Sequence, residues 1–480
     1  MPNFLSKTRM VGSWMVPLAL GVLIAPPVSS AVTILTVGPS GAYPTIQGAI
    51  DAVVNGADTE IRVEQTTTHL GYFENLTVPA TFDSGNLAIL GGWDASFTSR
   101  DDDPEHTVIN GGGSGRVLDI WIEGGSLVLD GFTLTNGVMS GAGIRIYAVP
   151  GANTSLIVIR NNRIVGNHAR TYPTVRGGGI LAEPRGTQRL EIVDCRIRDN
   201  TAFSENDGQA VGGGIFLESR EESTVLIENC EINGNSVESE GGIRKGGGVY
   251  LIATDNSKMV VQDSFVFDNS ILGTGTSTGS GGFLRTLISA TMEVVRTGWS
   301  ANEVDAGDPT PQLVTISGWG TPSLRITDSG IAQGDDGGLE VTSSYSATVH
   351  LVNVTVADHP GTGILVSQED MGTLAIYNTI AFGNGTDLTT SGTVTTGSNL
   401  VGVDPLFMDP LNLDYLLSEG SPAENMGDNN PPGGLGPLDI ERNSRVIDGI
   451  VDIGMAEGIG VIFASSFETG DTSTWSHRTP

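Results

Sequence analysis

Apolar and polar residues alternate in short runs along most of this chain, and the runs return at a near-constant interval. RGGGILAEPRGTQRLEIVDCRIRDN at 176–200 is followed by VGGGIFLESREESTVLIENCEINGN at 211–235. Each copy has a glycine triplet, an apolar strand, a polar turn, a second strand of period two, an Asn or Asp, and a short strand ending on Asn. Alternation over four to eight residues bounded by Gly, Asn and Asp predicts strands. Recurrence at roughly 20 to 50 residues predicts stacked units sharing one continuous core.

An Asn-type position indexes the repeat: Asn136, Asn167, Asn200, Asn235, Asn269, Asn302, Gly334, Asp358 and Asn384, in steps of 31, 33, 35, 34, 33, 32, 24 and 26. The last steps approach what three short strands and three corners require, so the longer units carry insertions. These are HARTYPTVR, TAFSENDGQAV, SVESEGGIRK and SILGTGTSTGS, each falling between the Asn and the next glycine run. The expected fold is all-β, a single-stranded right-handed parallel β-helix, with the insertions stacked along one flank.

A second recurrent position, Asn161, Asp194, Asn229, Asp263, Asp328 and Asn378, precedes a small residue. Asn and Asp tolerate left-handed backbone at a sharp corner, and like side chains stacked rung on rung can bond to one another. Together with Asn167, Asn200, Asn235, Asn269 and Asn302 they are read as a structural ladder rather than as catalytic groups. The glycine runs at 177–179, 212–214, 246–248 and 281–282 read as corners, because a phosphate cradle needs a strand-to-helix context.

Ahead of the repeats, TILTVGPSGAYPTIQGAIDAVVNGADTEIRV predicts a strand, an amphipathic helix from about Tyr43 to Val54, and another strand. Ile46, Ala49, Ile50 and Val53 share its apolar face, and Gly56 is the stop. A stacked coil leaves an open edge, and this helix is its expected N-terminal cap. The chain therefore divides into a cap with irregular first rungs (32–137), regular rungs (138–400), a closing segment (401–460) and a tail (461–480). Residues 1–31 read as a cleaved signal peptide: Lys7 and Arg9 precede the run VGSWMVPLALGVLIA, and VSSA supplies small residues for cleavage. This places the protein outside the cell or on its outer surface. No later stretch is long and apolar enough to span a bilayer.

Charge narrows the partners. The chain has 24 Lys plus Arg against 55 Asp plus Glu, a net of −31; removing Lys7 and Arg9 with the signal leaves 22 against 55, or −33. That excess opposes nucleic acid and anionic lipid, which need clustered cations, and allows weak Ca²⁺ association. The run Asp101-Asp102-Asp103 reads as a solvated loop, and no metal site is expected there. Cys195 and Cys230 occupy equivalent places in adjacent repeats, about 4.8 Å apart once stacked, which suits either a disulfide or two reduced thiols in one core column.

The opening segment resembles the start of secreted right-handed parallel β-helix proteins, which have an N-terminal shielding helix. GGGI, GGGV, the Asn/Asp-x-x-Ile-x-x-Asn run and Phe267-x-Asn269 resemble the repeats of polymorphic outer membrane protein passengers and other pectin-lyase-like β-helices. This chain departs from that outer-membrane group in lacking a C-terminal series of long amphipathic strands. NLVGVDPLFMDPLNLDYLLSEGSPAENMGDNNPPGGLGPLDIERNSRVIDGIVDIGMAEG resembles the choice-of-anchor Q segment that closes many secreted bacterial β-helices, and it is expected to cover the coil's C-terminal end. FETGDTSTWS resembles a terminal sequence of secreted proteobacterial proteins and would be a sorting or attachment tag.

The resemblance invites polysaccharide chemistry, but the polygalacturonase set is absent apart from Asp335-Asp336, and no lyase-type carboxylate cluster with a basic partner is evident. Gly275-Thr276-Ser277-Thr278-Gly279 spells G-x-S-x-G without the strand-to-helix turn of a nucleophile elbow. Function is therefore expected on the inserted flank, where His168, Arg170, Tyr172, Arg176, Glu205, Asp207, Glu238, Arg244 and Lys245 could line a groove. The reading is a monomeric, non-catalytic binding, adhesion or structural protein that recognises an extended extracellular glycan or a cell-surface component. The alternative is a polysaccharide lyase or glycoside hydrolase with an unrecognised site on the same loops.

Overall fold

The computed structural model describes residues 32–66, 71–82, 84–147, 154–305, 309–447 and 449–458. The signal-like segment 1–31 and the tail 461–480 lie outside the described residues. Each repeat is one turn of a coil. In one turn, Ile180–Glu183, Arg189–Val193 and Arg196–Arg198 are strands. Each pairs in parallel with the next turn: Ile180 with Ile215, Ile192 with Ile227, Ile197 with Ile232. Parallel neighbours joined by a crossover wind right-handed almost without exception, and the fold is a right-handed parallel β-helix.

Two of the three walls join at the Asp194-type corner into a 23-stranded sheet, here sheet 1; the third wall is the 11-stranded sheet 2. Alternation turns every second side chain inward, and parallel stacking converts the repeat into apolar columns. One runs Ile159, Ile192, Ile227, Val261, Val294, Ile326, Leu351 and Ile376, all buried. The rungs that look ragged in sequence extend this column without a break, through Leu35, Ile61, Ile89 and Leu129. Their irregularity lies in the turns, not in the strands.

The N-terminal helix, α1 (Ile46–Asp51), is shorter than its periodicity predicts. The Thr45 hydroxyl accepts from Gly48 N at 3.1 Å, and the Glu74 carboxylate accepts from Ile46 N and Gln47 N at 2.8 and 2.9 Å. These bonds satisfy the free N–H groups of its first turn. Ile46, Ala49 and Ile50 are buried against the first rungs; Val53, beyond the C-cap at Ala52, still packs on the core.

The indexing needs one correction. Asn136 and Asp358 do not occupy the ladder position; they stand one residue before it, at left-handed corners (φ 60° and 58°) shared with Asp199 and Asp268 (φ 55° and 53°). The ladder position is held by Gly137, Asn167, Asn200, Asn235, Asn269, Asn302, Gly334, His359 and Asn384, so the final steps, 334 to 359 and 359 to 384, are both 25 residues. The hydrogen bonds decide this. Asn167 Oδ1 accepts from Gly137 N, and His359 Nδ1 accepts from Gly334 N. Corner and ladder are adjacent, and both favour Asn, so one replaces the other in sequence.

The C-terminal segment was expected across the end of the coil and lies elsewhere. Thr390 and Thr396 are exposed although they stand in register with buried Val366 and Ile376 of the rung before. The segment instead runs back along the outside of sheet 1. Gly454 N donates to Asn378 O (2.8 Å), Met455 N to Thr355 Oγ1 (3.1 Å) and the Arg325 guanidinium to Gly434 O (2.7 Å). Apolar outward residues explain the choice: Ala332, Ala357 and Ile380 leave a strip that Tyr415, Leu417, Ile453 and Met455 bury.

Candidate binding flank

The insertions do not stack as loops. They form a seven-stranded parallel sheet of their own, sheet 3. One arm contains His168–Thr171 and Thr201–Ser204, and the returning arm contains Thr174–Arg176 and Gln209–Val211. Ser236–Lys245 and Ser270–Thr278 each span both arms. Between the arms lies a small core of Ala169, Val175, Ala202, Ala210, Val237 and Ile271. Most side chains between the arms are short, which lets the two arms approach closely.

This geometry separates the residues expected in one groove. His168, Arg170 and Glu238 stand on the outer face of the first arm. The His168 and Phe203 rings stack at 6.0 Å, and Arg170 lies over Phe203 and pairs with Glu205 at 2.6 Å. Tyr172, Glu205 and Asp207 form the exposed tip. Arg176 and Lys245 are on the opposite face, on the returning arm. Arg244 is not a surface residue: it is 1% exposed, between the arms in register with Ala210 and Ser277, and its guanidinium donates to Gly275 O at 2.7 Å. Alternation along Ser236–Lys245 turns Arg244 inward because Lys245 faces out, and small Ala210 and Ser277 make room for it.

Arg176 and Lys245 lean onto the outer face of sheet 2, where a column missed in the sequence reading runs Leu181, Phe216, Tyr250, Phe283 and Val314. Its rings stack at 5.3 Å (Phe216–Tyr250) and 5.0 Å (Tyr250–Phe283), nearly parallel. The Arg176 guanidinium lies 5.2 Å from the Phe216 ring centre and the Lys245 ammonium 4.5 Å from that of Phe283. Cation–π contact and ring stacking tie sheet 3 to the coil. The signal was present, since Leu181, Phe216 and Tyr250 each directly follow a Gly-Gly-Gly-Ile/Val run and Phe283 directly follows Gly281-Gly282.

Two residues farther along each strand is a second outward column: Glu183, Glu218, Ile252, Arg285 and Ile316, all half-buried. Glu183 is paired with Arg176 and Glu218 with Arg220. Among the described residues Lys245 and Arg285 have no carboxylate partner, and Arg285 Nε makes no hydrogen bond. Burial first and then Arg285 hold the Lys245 ammonium below its usual pKa. Two neighbouring cations on a partly dry surface, in a chain of net charge −31, favour an anionic group placed between them.

Other sequence candidates resolve into local structure. Ser277 of the G-x-S-x-G run lies within the strand Ser270–Thr278 and is buried, its side chain turned between the arms. Asp101 and Asp103 shape a turn, Asp101 Oδ1 accepting from Asp103 N and Asp103 Oδ1 from Glu105 N. Cys195 and Cys230 are unbridged and buried, each thiol donating to the carbonyl two residues earlier on its own rung, Val193 O and Glu228 O. Among the described residues no group of three or more His, Cys, Asp or Glu side chains is arranged to hold a metal ion, and no helix is long and apolar enough to cross a membrane.

Comparison with known families agrees with the fold. Residues 107–286 match the family model described as right handed beta helix region. The matched stretch contains the aromatic column, Lys245 and Arg285 together with most of sheet 3. No curated protein and no solved structure matches the chain.

Proposed function

We propose that this β-helix is a secreted or cell-surface binding protein that recognises an extended, negatively charged glycan along the outer face of sheet 2, beside sheet 3. The observation that carries the reading is the pair of uncompensated cations, Lys245 and Arg285, next to the Tyr250 and Phe283 column. Parallel stacking repeats outward positions every ~4.8 Å, close to the length of a sugar residue, so a polymer laid along the coil would meet successive rungs. A signal-like N-terminus supports action outside the cell, and the adhesion reading follows from the same surface.

One observation favours a second reading. The lowered pKa of Lys245 suits a base that takes a proton from a sugar ring carbon next to a carboxylate, which would make the protein a polysaccharide lyase with Arg285 neutralising that carboxylate. Incubation with a panel of acidic and neutral polysaccharides separates the two. Retention of acidic polymers without new unsaturated-product absorbance or reducing ends supports binding, product formation supports the lyase, and the absence of both retention and product refutes the proposal.

A further inference from the structure

Where the C-terminal segment meets the coil, five charged side chains are withdrawn from water. Arg445 and Asp328 are 1% and 0% exposed, and Asp439, Asp452 and Glu457 are 0%, 3% and 3%. Only Asp328 belongs to the coil. Arg445 Nε lies 3.4 Å from both Asp328 Oδ1 and Glu457 Oε1, and its Nη2 donates to the carbonyls of Asp452 and Gly454 at 3.0 and 2.5 Å. Asp439 and Asp452 fix the shape of the segment itself, accepting from the backbone N–H groups of Asn443, Glu457, Asn425 and Gly458. One buried guanidinium thus stands among four buried carboxylates, two of them 3.4 Å from its Nε, and Asp328 Oδ2 has no hydrogen-bond partner.

Four buried carboxylates sharing one buried guanidinium, with Arg325 and Arg296 only flanking Asp328, are unfavourable, and uptake of a proton is the least costly remedy. We propose that this cluster is a proton-set clasp: the C-terminal segment closes on sheet 1 when one of the carboxylates around Arg445 is protonated, and loosens when that proton leaves.

Glu457 is the group best placed to carry the proton. Burial, opposed by Arg445 and reinforced by Asp452 and Asp439, pushes its carboxyl from 4.5 up to about 7. The docked form therefore binds more protons than the open form over that interval, so docking is strongest at the acid end and weakens as pH rises through about 7. Asp328 shifts in the same direction, raised by burial against Arg445, Asn353, Arg325 and Thr327. Arg296 also feels the Asp328 charge, and Arg442 reaches Asp263 at 3.4 Å on the same face. Glu424 stands beside Gly458. His350, beneath Gly433, has the opposite sense: burial and Arg325 keep it neutral, so it weakens docking only below its ordinary 6.5.

The test is hydrogen exchange on the full chain, with labelling times scaled for the intrinsic pH dependence of exchange, read on peptides within 437–458 at pH 6 and pH 8.5. The expected result is roughly tenfold lower protection at pH 8.5, from the loss of about one proton per molecule. Glu457→Gln should hold protection constant between the two, while peptides from 189–235 keep theirs in both proteins. Equal wild-type protection at the two pH values would overturn the clasp, as would a Glu457→Gln protein that keeps the wild-type pH dependence.

Discussion

Trp299 fills the space that Gly282 leaves open across the same rung. A Cβ added at Gly282 would lie 2.5 Å from the Trp299 ring. Neighbouring rungs place medium-sized residues at both positions: Val249 and Leu313 in the Gly282 column, Val266 and Ile331 in the Trp299 column. The rung keeps its filled cross-section by moving volume from one wall to another, as close packing demands.

Gly282→Val should therefore destabilise by about 1–3 kcal/mol through overpacking, and Trp299→Val by about 3 kcal/mol through the cavity it leaves. The double variant should cost clearly less than the sum, by about 1–3 kcal/mol. Urea denaturation of the four proteins measures the coupling.

Ladder and corner positions should respond differently to substitution. Asn235 Oδ1 accepts from Asn200 N and Nδ2 at 3.1 and 2.9 Å, and its Nδ2 donates to Ile197 O at 2.8 Å and Asn269 Oδ1 at 2.9 Å. Asn235→Ala leaves buried groups unpaired and should cost on the order of 3 kcal/mol. Asp194 has φ 54° at a corner, where the requirement is left-handed backbone. Asp194→Gly should change stability by less than about 0.5 kcal/mol. Parallel denaturant titrations compare them.

The ladder also holds a titratable member. His359 is 1% exposed, its Nδ1 accepting from Gly334 N and its Nε2–H donating to Ile331 O, and burial lowers its pKa to about 4. The folded state thus binds fewer protons than the unfolded, and stability is lost as pH falls from 6.5 toward 4, by up to about 3 kcal/mol. His359→Gln should flatten that part of the curve. The difference in thermal midpoint between wild type and His359→Gln from pH 7 to pH 4.5 reports it, because Glu457 titrates across the same interval with the opposite sign and is common to both proteins.

Cys195 and Cys230 are each 1% exposed, and burial, followed by Cys195, raises the Cys230 thiol. Neither thiol should react with a bulky disulfide reagent in the native protein at pH 8, and both should react in denaturant. Fast labelling of the native chain would contradict the buried column.

The coil was legible because its strands repeat: Ile192 and Ile227 sit in matching sentences, and stacking follows directly. Sheet 3 was not, because TAFSENDGQAV turns its one aromatic, Phe203, outward against His168, while its inward positions Ala202 and Ala210 are too small to register as a buried face. Arg244 was misplaced for a related reason, since facing direction along SVESEGGIRK depends on the irregular register between Glu240 and Ile243. Arg285 was passed over because a single cation in an outward column acquires meaning only when Lys245, from another sheet, is set beside it. Asn136 and Asp358 mislead in sequence because a left-handed corner and an amide ladder select the same residue types.

The central claim is that Lys245 and Arg285 hold an anionic glycan on sheet 2. The direct measurement is retention on immobilised acidic and neutral polysaccharides at low and high salt, for wild type and Lys245→Glu/Arg285→Glu. Arg244, being buried, is no test of this surface. Wild type should be retained on an acidic polymer, released by salt, and retained at least about tenfold less after double charge reversal. Retention unchanged by the reversal, or equal on neutral polymers, would contradict the account.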